Sequence, residues 1–351
     1  MRDHDTSSGP RHGRRPLLPG LALVLVLALL APAPLAADET GAGSCGGHDL
    51  LAVMATEKPE LHAKVMAEAA GVANQDAVFW RVERDGLAPS WLLGTIHIGD
   101  PRVTDLAPET RAGLDEARIV AIEIGDASPA AVNATLAKHR ELLLMPGGHT
   151  LADWLSSDEI ATLKERLQPR GLPPEAIERL HPWLLNVSLA LSPCRMALLA
   201  KGGKGVDLVV ADIARKAGKP VVGLETIEEQ LQKVASVPLE FQIANLQIAA
   251  RLPDNSDDMM ETLINLYVGR RLGAVLPMSK AVAGGGPLAE TVVEGYQRIV
   301  IDDRNLTMRD RALPLIEKGG AFIAVGSAHL IGEKGLVALL REAGYKVTPL
   351  N

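Results

Sequence analysis

The sequence has no excess of basic residues, and this absence limits the partners that the protein can bind. Its 351 residues include 36 Lys or Arg and 43 Asp or Glu, which gives a formal net charge of −7. Removing residues 1–36, which contain four arginines and two aspartates, changes the charge to −9. Nucleic-acid binding requires a basic surface, so nucleic acid is excluded as a partner.

Cysteines are also scarce. Only Cys45 and Cys194 are present, and both follow the export signal described below. An even pair of cysteines in an oxidising compartment forms a disulfide more often than two free thiols. We therefore expect a Cys45–Cys194 disulfide that ties the N-terminal segment to the helical middle of the chain. A catalytic thiol is the alternative.

A long apolar run occurs only near the N-terminus. Residues 21–31 are uninterruptedly apolar, follow Arg11, Arg14 and Arg15, and precede small residues. This order is typical of a secretory signal peptide, and eleven apolar residues are too few to span a bilayer comfortably. The sequence predicts a signal peptide over residues 1–37 and a periplasmic or secreted protein with no stable membrane anchor after cleavage.

An apolar run followed by Gly-x-x-His occurs twice, as Gly-Thr-Ile-His at residues 94–97 and Gly-Ser-Ala-His at residues 326–329. A glycine lets the backbone turn where a buried strand ends, and a histidine placed there can act as a metal ligand or a general base. The repeat predicts one shared site that contains His97 and His329. Two unrelated strand-end histidines are the alternative.

Strand-like and helical segments alternate along the chain. Strands are expected at residues 78–83, 91–97, 119–124, 220–224, 323–325 and 345–350, and the first two form a hairpin. This pattern predicts an α/β fold with a mostly parallel sheet, two pseudo-repeated halves and a helical insertion at about residues 130–200. Because no sharp linker divides the chain, residues 38–351 are expected to form a single domain.

Two carboxylates accompany the other predicted strands. Glu123 lies within an apolar strand, where a charge needs a metal, an arginine or an exposed cavity. A strand-end glutamate that simply faces solvent is the alternative. Glu225 follows the strand at 220–224. The alternative is that Glu225 only serves as an N-terminal residue of the next helix, where the helix dipole favours a negative charge. Residues beyond the carboxyl ends of parallel strands converge at one edge of the sheet. Two imidazoles and one or two carboxylates are a usual ligand set for Zn, Mn or Co.

Arg304 and Asn305 supply a guanidinium and an amide that can bind a substrate carboxylate or stabilise an oxyanion. A solvated, charged helix is the alternative explanation for them. Asp207 is suited to cap the helix that begins near it. Three histidines in the helical middle belong to no paired motif and are interpreted as structural or surface residues: His139, His149 and His181.

Taken in order, these motifs resemble the TraB/GumN family, which includes the Tiki metalloproteases. The likeness covers about residues 45–351 and includes Gly-Val-Asp at 205–207 and Gly-Leu-Glu-Thr at 223–226. It implies a fold shared with erythromycin esterases and the ChaN haem-binding proteins, and divalent-metal-dependent peptide cleavage as in Tiki proteins. The sequence departs from Tiki proteins in its expected lack of a transmembrane anchor. It also lacks the His-Glu-x-x-His helix of ordinary zinc proteases.

These observations predict an exported metal-dependent hydrolase acting on a peptide or small molecule, with a peptidase as the leading interpretation. The two motif histidines and Glu123 would hold Mn, Co or Zn, and Glu225 would orient or deprotonate the water. Arg304 and Asn305 would position the substrate. A metal-independent esterase-like hydrolase and a non-catalytic haem- or peptide-binding protein are the alternatives. The sequence leaves the oligomeric state open.

Overall fold

The computed structural model describes residues 45–350, so the predicted signal peptide lies outside the described residues. Within this range, the strands are β1 Phe79–Glu83, β2 Ser90–Thr95, β3 Ile119–Ile124, β4 Val221–Glu225, β5 Ala321–Gly326 and β6 Lys346–Leu350. The α-helices are α1 Leu50–Glu57, α2 Pro59–Ala70, α3 Pro101–Thr104, α4 Pro108–Glu116, α5 Pro129–Lys138, α6 Ser157–Leu167, α7 Pro174–Ile177, α8 Pro182–Ala190, α9 Pro193–Ala200, α10 Val206–Lys216, α11 Ile227–Ala235, α12 Leu239–Arg251, α13 Ser256–Val268, α14 Val275–Val282, α15 Gly286–Tyr296, α16 Asp303–Ile316 and α17 Leu336–Glu342.

The strands form one mixed sheet in the order β4-β3-β5-β2-β1-β6. Strands β4, β3, β5 and β2 run parallel to one another, whereas β1 is antiparallel to both β2 and β6. This arrangement confirms the predicted hairpin and the mostly parallel α/β sheet. In the ladder between β2 and β5, Thr95 is the partner of Gly326, so the two Gly-x-x-His segments leave the sheet side by side.

Both faces of the sheet are buried, which explains why its central strands are apolar throughout. Alternate residues of a strand point to opposite faces. Leu92 accordingly packs in a cluster with Met308 of α16 and Leu340 of α17. The next residue, Leu93, packs on the other face with Val210 of α10 and other apolar residues. Helices therefore cover the sheet on both sides and leave its carboxyl edge as the place where polar side chains gather.

A separate apolar cluster holds the helical middle together. Leu163 of α6 and Trp183 of α8 pack with Leu246 of α12 in this cluster. Helices from before and after β4 therefore share one core. Among the described residues, no single helix is long and apolar enough to cross a membrane, and only α8 with α9, which meet at 83°, reach the required length and composition as a bent pair.

The expected disulfide between Cys45 and Cys194 is confirmed. It joins the segment before α1 to the first turn of α9, across a sequence separation of 149 residues. The cross-link restrains a loop that contains β1 to β3 and much of the helical middle. Its main thermodynamic effect is therefore on the unfolded chain, whose freedom it restricts.

We expect the double variant Cys45→Ser/Cys194→Ser to lose about 4 to 5 kcal/mol in free energy of unfolding, the loop-entropy value for a closure of this length. Denaturant unfolding of the variant and of the oxidised parent measures the difference. The parent treated with reductant serves as the control and should match the variant. Equal stability of the oxidised parent and the variant would contradict the expectation.

Candidate active site

His97 follows β2, and its backbone packs against the start of α10. The Val206 N–H donates to the Ile96 carbonyl at 3.0 Å. A side chain at Gly205 is excluded, since its Cβ would lie 2.7 Å from the Cα of His97. This close approach brings Asp207 Oδ1 to 3.0 Å from His97 Nδ1. The interpretation of Asp207 as a helix cap is wrong, because Gly205 occupies the cap position and Asp207 lies in the first turn.

His329 lies in the short 3₁₀ turn Ser327–His329 after β5 and is buried. Its Nδ1 lies 2.7 Å from Asn305 Oδ1, and Asn305 Nδ2 donates to the Lys334 carbonyl at 2.8 Å. This second bond orients the amide so that its oxygen accepts from the His329 Nδ1–H. Burial lowers the pKa of His329 to about 4, with Glu123 opposing and Arg304 adding to the effect. The ring is therefore neutral at pH 7, and its Nε2 carries a lone pair.

Glu123 lies between the two imidazoles. Its Oε1 is 4.0 Å from His97 Nε2 and 3.8 Å from His329 Nε2, and it accepts the Gly326 N–H. Burial by itself would raise the pKa of Glu123, but it is lowered to about 2 by the charge that His329 carries below pH 4, by the charges of His97 and Arg304, and by the Gly326 N–H. Glu123 is therefore an anion at neutral pH. Both expected histidines and the expected glutamate converge at one point.

Arg304 lies in the first turn of α16 and bridges two carboxylates. Its Nη2 donates to Glu123 Oε2 at 2.8 Å and to Glu225 Oε2 at 2.6 Å, while its Nε lies 3.0 Å from Glu225 Oε2. Burial raises the pKa of Glu225, and the neighbouring Glu123 charge adds to this effect while Arg304 opposes it. Arg304 and Asn305 are 5% and 1% exposed, so a solvated charged helix does not describe them.

The guanidinium is also anchored by the turn that precedes α16. Residues Gln297–Asp302 form a π-helical turn, and the Val300 carbonyl accepts from Arg304 Nη1 at 3.0 Å. Single π-helical turns often occur at functional sites. Five hydrogen bonds to Glu123, Glu225 and Val300 therefore hold the Arg304 side chain in place.

His97, Glu123, Arg304 and His329 form the charged floor of a cavity of about 610 Å³. The His97 ring lines the cavity and is partly exposed. Burial by itself would lower the pKa of His97, but Asp207 and Glu123 raise it to about 9. The walls above the floor are mainly aliphatic: Val234, Leu263, Leu272, Val275, Leu276, Val292, Val293, Val300, Ile301 and Ile331. Nearly all of the charge that a bound molecule would meet is therefore on the floor.

The structure separates the expected site residues into two groups. His97, Glu123, Arg304 and His329 line the cavity. Glu225 contacts the far side of Arg304 and Asn305 contacts the far side of His329, so neither lines it. The histidines of the helical middle line no part of the cavity either: His139, His149 and His181.

Sequence reasoning missed two contributors to this site. Asp207 was interpreted as a helix cap, although Gly-Val-Asp at 205–207 is one of the motifs that carry the family resemblance. Gln230 of α11 lines the cavity, and its Nε2 lies 3.5 Å from Glu123 Oε2. It follows Glu225 by five residues, but nothing in its type or spacing indicated a contact with Glu123.

The donor set suits a divalent ion in its chemistry. Two imidazole nitrogens and one carboxylate oxygen are typical ligands of Zn, Mn or Co, and each Nδ1 faces an oxygen acceptor, as is usual for metal-bound histidines. The Nε2–Oε1 distances of 4.0 and 3.8 Å exceed the edge of about 3.4 Å in a tetrahedral shell with ordinary Zn–N bonds. Within residues 45–350, no three or more His, Cys, Asp or Glu side chains are arranged as a metal site. Binding would therefore require the side chains to move together.

The class of protein is defined by an α/β sheet with polar residues at its carboxyl edge. These residues are two Gly-x-x-His histidines, a buried glutamate and a buried Arg-Asn pair. The model of the TraB/PrgY/gumN family matches residues 78–349, and the chain belongs to this family.

Relatives in this family include metalloproteases and a protein of unknown activity. The chain is 23% identical to Metalloprotease TIKI1 of Homo sapiens over 323 residues, which cover 78% of this chain and 61% of TIKI1. It is 24% identical to Metalloprotease TIKI2 of Danio rerio, with coverage of 78% and 61%. It is 25% identical to the uncharacterized protein YbaP of Escherichia coli (strain K12), with coverage of 71% and 87%. The chain thus spans about three fifths of the TIKI proteins. No solved structure matches it.

We expect Arg304→Lys to lower the free energy of unfolding by roughly 2 to 3 kcal/mol, because one ammonium cannot replace a planar fork that bonds two buried carboxylates. Turnover of any confirmed substrate should also fall. Denaturant unfolding of parent and variant gives the stability change.

Arg311→Lys is the matched control, since Arg311 bonds Glu229 at a partly exposed surface. The Arg311→Lys variant should lose less than about 1 kcal/mol in free energy of unfolding. Equal losses for the two variants would show that the buried bridge has no special importance.

Proposed function

We propose that this protein is a metal-dependent hydrolase that cleaves peptide bonds. The observation that carries the proposal is the convergence of His97 Nε2 and His329 Nε2 on one Glu123 oxygen at the floor of a cavity of about 610 Å³. The name metalloprotease, which the TIKI relatives bear, supports the same reaction class. We propose Mn, Co or Zn as the ion.

His97, Glu123 and His329 would hold the ion, which when bound supplies a water of lowered pKa and polarises a carbonyl group. Asp207 and Asn305 orient the imidazoles by accepting from their Nδ1 atoms, so that each Nε2 faces Glu123. Such outer contacts typically change metal affinity or activity by about 10- to 100-fold when they are removed.

Arg304 has two roles in the proposal. It keeps Glu123 anionic and fixed in direction, and it also lines the cavity, where it can bind a carbonyl oxygen. Glu225 bonds Arg304 instead of facing the cavity. We therefore assign Glu225 the positioning of the guanidinium, in place of the direct action on water that the sequence suggested. Asn305 likewise positions His329.

The cavity walls indicate which substrates fit. A bound peptide would place its side chains against aliphatic surface from α13, α14 and α15, represented by Leu263, Leu276 and Val292. Burying apolar side chains there is favourable, and displacing water strengthens the electrostatic contacts at the floor. We propose peptides with uncharged, apolar residues next to the cleaved bond.

Export is part of the proposal. A disulfide is the kind of bond that persists in periplasmic or secreted proteins, and Cys45–Cys194 forms one. Residues 38–351 would then be the mature protein, as a single domain. We also propose the fold that the family resemblance implies, shared with erythromycin esterases and ChaN proteins. Superposition of an experimental structure on members of those families tests this part.

A metal-independent hydrolase is the second candidate, favoured by the Asp207–His97 hydrogen bond of 3.0 Å. A carboxylate that orients an imidazole is the arrangement by which histidine acts on a nucleophile without metal. Elemental analysis of the mature protein, combined with cleavage of a peptide library, separates the candidates. The metalloenzyme loses activity with chelator and regains it with Mn or Co, whereas the metal-independent enzyme is insensitive. A Soret band on haem titration without cleavage would instead favour a haem-binding protein.

We predict that His97→Ala and His329→Ala each abolish metal retention and peptide cleavage, with circular dichroism near that of the parent. The double variant should be no worse than either single variant, because both remove the same site. Metal content and initial cleavage rates measure these effects.

His149→Ala is the control, since this partly exposed histidine bonds Asp153 away from the cavity. It should keep full metal content and activity. If either motif variant retains both its metal and its cleavage rate, the single-site proposal is wrong.

A further inference from the structure

Thr95 carries a buried hydroxyl that has no hydrogen-bond partner in the described part of the chain. The residue ends β2 and is 1% exposed. Its Oγ1 belongs to a small set of buried, unpartnered side-chain atoms, whose other members are on His181, Arg195, Gln242 and Tyr345. Within residues 45–350, Thr95 is the member of this set that lines the 610 Å³ cavity.

An unpaired buried hydroxyl is unfavourable, and packing does not require one here. Valine has the same shape without the hydroxyl and is favoured in strands. The cavity that Thr95 lines is the side from which a partner can reach this hydroxyl, once a change of rotamer exposes the buried Oγ1.

The register of the sheet places Thr95 beside the catalytic floor. Its partner in the neighbouring strand is Gly326, and paired residues of parallel strands lie about 4.8 Å apart and point to the same face. A Cβ at Gly326 would lie 3.0 Å from Glu123 Oε1 and 3.7 Å from His97 Nε2. Thr95 is therefore one strand away from the point where these two groups approach each other.

A second hydroxyl residue lines the same cavity. Ser327 occupies the position in the second Gly-x-x-His motif that Thr95 occupies in the first, and it also lines the cavity. A Cβ at Gly94 would lie 3.0 Å from the Cα of Ser327, so glycine at residue 94 lets Ser327 pack against the end of β2. Because successive strand residues point to opposite faces, Ser327 packs on the face opposite to the Thr95 side chain and serves as a comparison for it.

We propose that the Thr95 hydroxyl donates a hydrogen bond to the carbonyl oxygen of the peptide bond being hydrolysed. The inference rests on the proposed peptidase function and adds a substrate-binding residue to it. Donors held ready for a developing oxyanion lower the barrier without binding the ground state much more tightly. Thr95 would act in this way without binding the ion.

The test compares Thr95→Val, Thr95→Ser and Ser327→Ala on a peptide that the parent cleaves. Thr95→Val should lower kcat by about 100-fold with KM changed by less than about 2-fold, since one oxyanion donor is lost. Thr95→Ser should recover most of kcat. Ser327→Ala should lower kcat less than Thr95→Val does. Metal content should equal that of the parent in all three variants.

The melting temperature gives a readout that a structural role would not produce. Thr95→Val should melt at or above the temperature of the parent, because an unpaired polar group is replaced by a methyl group. Thr135→Val is the matched control. Its buried hydroxyl donates to the Ala131 carbonyl at 3.0 Å in α5, so this variant should melt lower and keep the kcat of the parent.

The outcomes separate the two proposals. An active parent with an equally active Thr95→Val variant overturns the role of Thr95 and leaves the peptidase function standing. A Thr95→Val variant with a clearly lowered melting temperature, or a crystal structure in which Thr95 Oγ1 bonds a protein atom, overturns it as well. If the metal-loaded parent cleaves no peptide in the library, the proposed function fails, and the inference that rests on it fails too.

Discussion

The bridge that Arg304 makes between Glu123 and Glu225 is the contact on which the site depends. It joins the ends of β3 and β4 to the first turn of α16, and all three side chains are buried. Without the guanidinium, two carboxylates would lie in a poorly solvated interior with no adequate counter-charge. Because the bridge fixes the direction of Glu123, it also fixes the point on which both imidazoles converge.

The charges of the floor are nearly balanced. When both glutamates are ionised, the Arg304 bridge carries one net negative charge, and the raised pKa of His97 means that its ring can supply a compensating positive charge. A divalent ion between the imidazoles would replace that proton and serve the same electrostatic purpose. Compensation matters here because Glu123, Glu225 and Arg304 are buried, so that little solvent reaches them to stabilise an excess charge.

Several features could be predicted from the sequence because they depend on local patterns. Both motif histidines lie where a strand ends, and Glu123 interrupts an apolar strand, so the sheet edge was foreseeable from hydrophobic runs and glycines alone. The Cys45–Cys194 bond followed from there being only two cysteines.

Other features depend on packing between distant segments. The Asp207–His97 contact links residues 110 positions apart, and it forms because Gly205 lets α10 begin against the backbone of His97. Glu225 was correctly placed at the end of a strand, but its separation from the cavity depends on where α16 puts Arg304. The residues of the cavity walls could not be predicted from the sequence either. An aliphatic residue such as Leu276 gives the same sequence pattern whether it lies in a core or in a cavity wall.

The order of the strands determines how late in synthesis the site residues can come together. Strand β5 lies between β3 and β2, although it is synthesised about 200 residues after β3. The middle of the sheet must therefore stay open, or be loosely paired, until this late segment inserts. Contacts of such long sequence separation slow folding, and a partly synthesised chain has His97 and Glu123 but neither Arg304 nor His329. The topology itself thus delays assembly of the site until the chain is almost completely synthesised.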